Sequence, residues 1–207
     1  MSVVSSSTEA VVSEAFERRV KPVQRLGEDA TALALACRDM AARFTRGGRL
    51  LVFGNGAGAT DAQHVAVEFV HPVIVGKRAL PAISLTTDVA TVTGIAERDG
   101  VAAIFAHQIR FLAEPADIAL GLSPDGNTAS VLAGLEAARD RGLLTIALAG
   151  GDGGQIAAGK VAEHLIVTPS DDPRVVKELQ VTAYHVLWEL VHVFFEQPGV
   201  LGPGVVT

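Results

Sequence analysis

The stretch ADIALGLSPDGNTAS, residues 116–130, decides how this chain is read. It opens on a short continuous apolar run, breaks at Ser-Pro-Asp-Gly-Asn, and resumes with small residues suited to a helix. An apolar run of that length, bounded by turn residues, is a buried strand. A strand running through a Gly-containing turn into a helix start is also a shape that can hold a phosphate, because backbone N–H groups converge there. Yet Asp125 stands where an incoming anion would sit. The stretch is therefore a phosphate cradle, an altered one, or an ordinary turn.

The same pattern recurs. RLLVFGNG (49–56), LPAISLTTD (80–88), LLTIALAGGDGG (143–154) and EHLIVTPSDD (163–172) each read as a buried strand stopped by Gly, Ser, Thr or Asp. Helical patterns fall between them, over 58–71, about 89–112, 128–141 and 154–160. A long last helix is expected from Pro173 to about Glu196, with Asp172 as its cap. Strands alternating with helices imply a doubly wound parallel sheet, so ligands are expected at the carboxyl ends of the strands. That directs attention to the loops 54–58, 86–88, 123–128 and 150–154.

Residues 1–8 are Ser-rich and expected to fray. From Thr8 to about Arg46 the pattern is helical, with a break expected at VKPVQ (20–24) because Pro22 lacks a backbone donor. The domain plan is an N-terminal helical extension (1–46), an α/β domain (47–197) and an irregular Gly/Pro-rich tail (198–207).

Composition agrees. Of 207 residues, 49% are apolar but only 5% aromatic, which suits a parallel sheet under close-packed helices. The charge is 17 minus 23, or −6, with no basic run, so neither nucleic acid nor a membrane surface is an expected partner. Cys37 is the single cysteine, which leaves no disulfide within the chain and fits a reducing cytoplasm. Neither a signal peptide nor a membrane span is expected from the sequence.

The chemistry-bearing residues lie on two helices. After the first strand, FGNGAGATDAQHVAVEFVHP (53–72) lacks the glycine spacing and the later acid of a dinucleotide site. Within its helix His64 and Glu68 are four apart and share a face, with His71 three further on. A carboxylate beside an imidazole serves acid/base chemistry or metal binding, or is a solvated ion pair. In the last helix, VVKELQVTAYHVLWELVHVFF (175–195), His185 interrupts an apolar run, with Lys177 two turns earlier and His192 two turns later. Trp188 reads as packing.

Four segments together, GNGAGATDAQHVAVEF, LPAISLTTDVATVTGIA, SPDGNTASVLAGLEAARDRGLLTIALAGGDGGQIA and VTPSDDPRVVKELQVTAYHVLWELV, resemble the sugar isomerase (SIS) domain family, in its phosphoheptose isomerase type. The resemblance spans roughly residues 10–197. It implies a three-layer α-β-α sandwich with a central parallel, flavodoxin-like sheet, assembled as a homotetramer with active sites between subunits. It implies isomerisation of sedoheptulose 7-phosphate through an enediol, with Glu68 as base and His185 as acid. Some members hold zinc through residues matching His64, Glu68, a glutamine and His185, which makes zinc the implied cofactor. Substrate contacts are implied at Asn55, Gly56, Gly58, Asp88, Ser123, Asp125, Asn127, Thr128 and Lys177. Some relatives are non-catalytic and bind a partner protein, so the alternative reading is a ligand sensor or protein-binding regulator.

Several family positions are changed. Gly58 and Asp125 stand where serines are expected, Lys177 replaces the zinc-ligand glutamine, and Glu97 with Arg98 replace Asn-Asp. An arginine expected shortly after Glu68 is missing near Pro72. Two unit charges about 4 Å apart repel by roughly 4 kcal/mol at an effective dielectric of 20, so Asp125 opposes a bound phosphate unless a cation offsets it. Lys177 and Arg98 are the candidate cations.

Overall fold

A computed structural model describes residues 6–197. Residues 1–5 and the tail 198–207, for which fraying and irregular structure were expected, lie outside the described residues, although Ser6 to Thr8 already belong to the first helix.

All five expected strands form: β1 (Leu50–Gly54), β2 (Ala82–Ser84), β3 (Ile118–Ser123), β4 (Leu144–Gly150) and β5 (His164–Thr168). They build one parallel sheet in the order β2-β1-β3-β4-β5. The register pairs Leu50 with Ile118 and Ile118 with Leu144, so the strands start level and their carboxyl ends finish together. The order reverses between β1 and β3, and this is where open α/β sheets place their crevice.

Alternation along each strand feeds two cores. Leu50, Val52, Leu120, Leu122, Ile146 and Leu148 face a layer made by α2 (Ala30–Thr45), α3 (Ala57–Val70) and α8 (Pro173–Glu196). Leu51, Phe53, Ala119 and Ala147 face the other layer, contributed by α4 (Val89–Asp99), α5 (Ile104–Leu112), α6 (Ala129–Asp140) and the short α7 (Gly154–Ala158). The expected three-layer sandwich with a parallel sheet is the fold observed.

Two expectations change. The helical stretch from 89 to 112 is divided, because Gly100 takes a φ of 86° and a 3-10 turn at Val101–Ala103 separates α4 from α5. No break occurs at Pro22. The helix α1 (Ser6–Glu28) runs through it, and the division falls at Asp29 before α2. A proline in an exposed helix forfeits one backbone hydrogen bond, and the turns on either side keep theirs. At the other end of the chain Asp172 caps α8 as expected, its carboxylate accepting the Arg174 N–H at 3.0 Å.

Candidate active site

The loop after β1 turns at Gly56, whose φ of 56° is a conformation that side-chain-bearing residues rarely adopt. That turn launches α3, and the helical period then sets Asp61, His64 and Glu68 along the side facing α8. From α8 come Lys177, Tyr184 and His185.

Helices α3 and α8 bring the separated residues together within one protomer. One ligand atom each from His64, Glu68 and His185 lie within 4.8 Å of one another. His64 Nε2 is 3.2 Å from Glu68 Oε1, and the rings of His64 and His185 meet edge-on with centroids 5.1 Å apart. Glu68 is 9% exposed. Glu68 and His185 open onto a cavity of about 360 Å³, also bounded by Ile74, Lys77, Trp188 and Glu189. The acid and base of the sequence reading thus share one cleft. His71 caps the end of α3 and is not part of the cluster.

Behind this cluster lie two residues that sequence reasoning did not single out. The Tyr184 hydroxyl, buried at 1% exposure, is 2.9 Å from His64 Nδ1 and 3.4 Å from Asp61 Oδ1. Burial first, then the Asp61 carboxylate, push the Tyr184 pKa well above its ordinary value, so the hydroxyl keeps its proton. Asp61 is ion-paired with Lys177, whose ammonium also donates to the Ala57 carbonyl at 2.9 Å. Asp61 sits one turn before His64 and Tyr184 directly precedes His185, the only signals in the sequence that pointed to them.

The 123–128 turn is closed on itself. Ser123 Oγ, fully buried, accepts from Gly126 N at 3.0 Å and lies 3.0 Å from Thr128 Oγ1. Asp125 Oδ1 accepts from Asn127 N at 2.9 Å and is 3.4 Å from Ser123 Oγ. Asn127 ties the turn to the first turn of α7, its Oδ1 accepting from Gln155 N at 3.0 Å. Gly126 allows that approach, since a Cβ there would lie 2.0 Å from the Gly153 oxygen. Asn55 donates to Ser130 Oγ at 2.6 Å.

Among the described residues neither candidate cation pairs with Asp125. Lys177 is spent on Asp61, and Arg98 pairs with its neighbour Asp99 at 2.7 Å. Lys177, at the start of the second turn of α8, meets the Asp61 carboxylate of α3, and Arg98 meets the carboxylate next to it in sequence.

The remaining sites separate. Asn55, Gly58 and Lys177 line a second cavity of about 200 Å³. Asp88 lines a third with His107 and Phe111. There it caps α4, and the Thr91 hydroxyl and N–H hold its carboxyl below the ordinary range. Cys37 is buried, which pushes its thiol up to about 12 and removes it as a nucleophile. Among the described residues no helix is long and apolar enough to cross a membrane.

Two imidazoles and a carboxylate on facing helices are a donor set that suits zinc with one position open. Lys177 adds no ligand, because an ammonium has no lone pair and this one points to Asp61.

A family model for the SIS domain matches residues 15–150. The chain is 42% identical to the phosphoheptose isomerase of Solidesulfovibrio magneticus over 169 residues, 81% of each chain. Among solved structures, a phosphoheptose isomerase from Francisella tularensis superposes with a TM-score of 0.82 at 29% identity, covering 88% of this chain and 97% of that one. The phosphoheptose isomerase from Neisseria gonorrhoeae gives 0.80 at 28% identity, with the same coverage.

Proposed function

The chain belongs to the SIS domain family and, within it, to the phosphoheptose isomerases, and from that premise we propose that it interconverts sedoheptulose 7-phosphate and an aldoheptose 7-phosphate. The observation that carries the reading is the meeting of Glu68 and His185 in one cleft.

The chemistry follows from the two groups. In the opened ketose, Glu68 takes a proton from C1, and the C–H electron pair becomes the C1–C2 double bond. His185 gives a proton to the C2 oxygen as that carbonyl becomes a hydroxyl. The enediol then loses the O1 proton to His185, C1 becomes the carbonyl, and Glu68 returns its proton to C2. Each group ends as it began. Glu68 is 9% exposed, so little water reaches the carboxylate outside the cleft it faces.

His64, Glu68 and His185 are the residues that would hold a zinc ion, and a bound zinc supplies polarisation of the substrate oxygens. Exposed apolar residues along α1, among them Val11, Val12 and Phe16, support assembly with further copies, here proposed as a homotetramer.

The phosphate end is altered. Asp125 opposes an anion at the β3 turn, and among the described residues Lys177 and Arg98 pair elsewhere, so the substrate's phosphate binds weakly there. That observation also favours a second reading, a non-catalytic SIS tetramer acting as ligand sensor or regulator. A direct isomerisation assay on the purified protein, with Glu68→Gln beside it, separates them. Turnover lost in Glu68→Gln supports the enzyme. No turnover in the wild type leaves the regulator, and turnover that survives Glu68→Gln removes the assigned base.

A further inference from the structure

A second gathering of metal-ligating side chains lies apart from the cleft. One ligand atom each from Asp39, Glu163 and His164 lie within 4.8 Å of one another. Asp39 belongs to α2, His164 is the first residue of β5, and Glu163 directly precedes it. The reaction cleft is built by α3 and α8, and neither helix supplies a ligand atom here. None of the three residues lines that cleft.

Their convergence is not what a regular strand produces. Successive strand residues point to opposite faces of the sheet, so Glu163 and His164 would ordinarily diverge. A bend at Ala162 and Glu163 leads into β5 and lets both side chains reach Asp39. The Glu163 N–H donates to Thr145 Oγ1 at 2.9 Å, which pins the bend to β4. The two oxygens of Asp39 have separate duties. Oδ1 accepts from Arg38 Nε at 2.8 Å, and Oδ2 lies 2.9 Å from His164 Nε2. A carboxylate held at one oxygen by an outer partner presents the other as a single, oriented ligand.

The spacing suits a small ion. A tetrahedral zinc ion with nitrogen and oxygen ligands at about 2.0–2.1 Å holds them roughly 3.3 Å apart. The Asp39 and His164 atoms are a little closer than that, and no atom of the set is more than 4.8 Å from another. Glu163 is exposed, so its side chain can close the set without disturbing packing. Two carboxylates beside one imidazole repel each other, and a divalent ion between them converts the repulsion into ligation. The imidazole favours zinc over magnesium or calcium, which prefer oxygen ligands throughout.

We infer that Asp39, Glu163 and His164 form a structural zinc site that clasps α2 to the edge strand β5, with water as the fourth ligand. It ties the N-terminal helical layer to the side of the sheet opposite β2. Binding to the folded chain alone stabilises it by mass action. The site does not rest on the isomerase reading.

Zinc titration by calorimetry tests it, on chelator-stripped His64→Gln/His185→Gln protein, which lacks the two imidazoles of the cleft. The titration is run about one pH unit above the ordinary histidine value, where imidazole is neutral. Uptake of one zinc per chain is expected, and it is expected to vanish when Asp39→Asn and His164→Gln are added. Both of these replacements retain a side chain able to hydrogen-bond across the α2–β5 contact. Zinc at about 100 times its Kd is expected to raise the melting temperature of the first protein by about 5–10 °C and to leave the second unmoved. No zinc uptake by the first protein overturns the inference, as does uptake that survives Asp39→Asn and His164→Gln. Zinc-edge anomalous scattering from wild-type crystals grown with zinc needs no variant. A peak bonded to Asp39 and His164 is expected, and its absence overturns the inference as well.

Discussion

Asp125 Oδ1 accepts the backbone N–H of Asn127 at 2.9 Å, so this carboxylate takes up a donor that an anion at the turn would use. Asp125→Ser removes the charge and frees that N–H. Asp125 is exposed, which puts the repulsion nearer the water limit of about 1 kcal/mol per unit charge than the 4 kcal/mol of a drier site. A dianion doubles it, so the variant is expected to bind sedoheptulose 7-phosphate about 10-fold tighter or better by calorimetry. Equal affinity in the two proteins would mean that the sugar phosphate is held elsewhere.

The ion pair of Lys177 and Asp61 joins α8 to α3 and keeps a buried carboxylate compensated. Lys177→Met strands that carboxylate. The lysine side chain is 34% exposed, so water relieves part of the loss, and a destabilisation of about 1–3 kcal/mol is expected in urea unfolding. Adding Asp61→Asn to Lys177→Met should restore part of it, because the amide carries no charge to strand. An unchanged midpoint in the single variant would show that the pair contributes nothing to stability.

The contrast between strands and site shows what a sequence carries. Each strand is a local object, and LLVFG or IALGLS says so by its own residues and the glycine or serine that ends it. Helical spacing tied Glu68 to His64, but the pairing with His185 came from the family resemblance, since by itself His185 read as a lone histidine in an apolar run. Tyr184 and Asp61 were not legible, because their meeting depends on how α3 and α8 dock, with more than a hundred residues between them. That Lys177 reaches Asp61 and Arg98 reaches Asp99 was hidden for the same reason: a sequence lists the cations but not which carboxylate each one reaches. Pro22 misled in the other direction, since a local rule predicted a break that the surrounding helix overrode.

Asp117 gives the clearest pH dependence. It is 2% exposed, and its carboxylate accepts from Arg49 N at 2.7 Å, Arg49 Nη2 at 2.8 Å and Glu114 N at 3.0 Å, joining the starts of β1 and β3. Burial alone would raise its pKa, but the Arg49 guanidinium and the two N–H groups outweigh it and hold the carboxyl below the ordinary range. The unfolded chain therefore takes up the proton first. The stability from Asp117 is complete above the unfolded value of about 4 and is lost as pH falls from there through the folded value. Asp117→Ala should cost about 2–3 kcal/mol at neutral pH, with the gap to the wild type narrowing below about pH 4. A gap that stays constant down to pH 2 would mean that the shift does not contribute.

Gly58 lacks the hydroxyl that the family resemblance implies, and nothing in the packing forbids one. A Cβ there would meet the Leu122 oxygen at 3.4 Å, an ordinary contact, and Gly58 lies in the first turn of α3 with no positive φ. Serine has the better helix propensity by a few tenths of a kcal/mol, so Gly58→Ser should melt at or slightly above the wild-type temperature. The new hydroxyl would enter the cavity that Asn55 and Lys177 line. Combined with Asp125→Ser, it is expected to lower KM for sedoheptulose 7-phosphate further than Asp125→Ser alone, with kcat unaltered because Glu68 and His185 are untouched. A marked fall in melting temperature would refute the open packing around Gly58. An unchanged KM in a stable double variant would place the phosphate away from both loops.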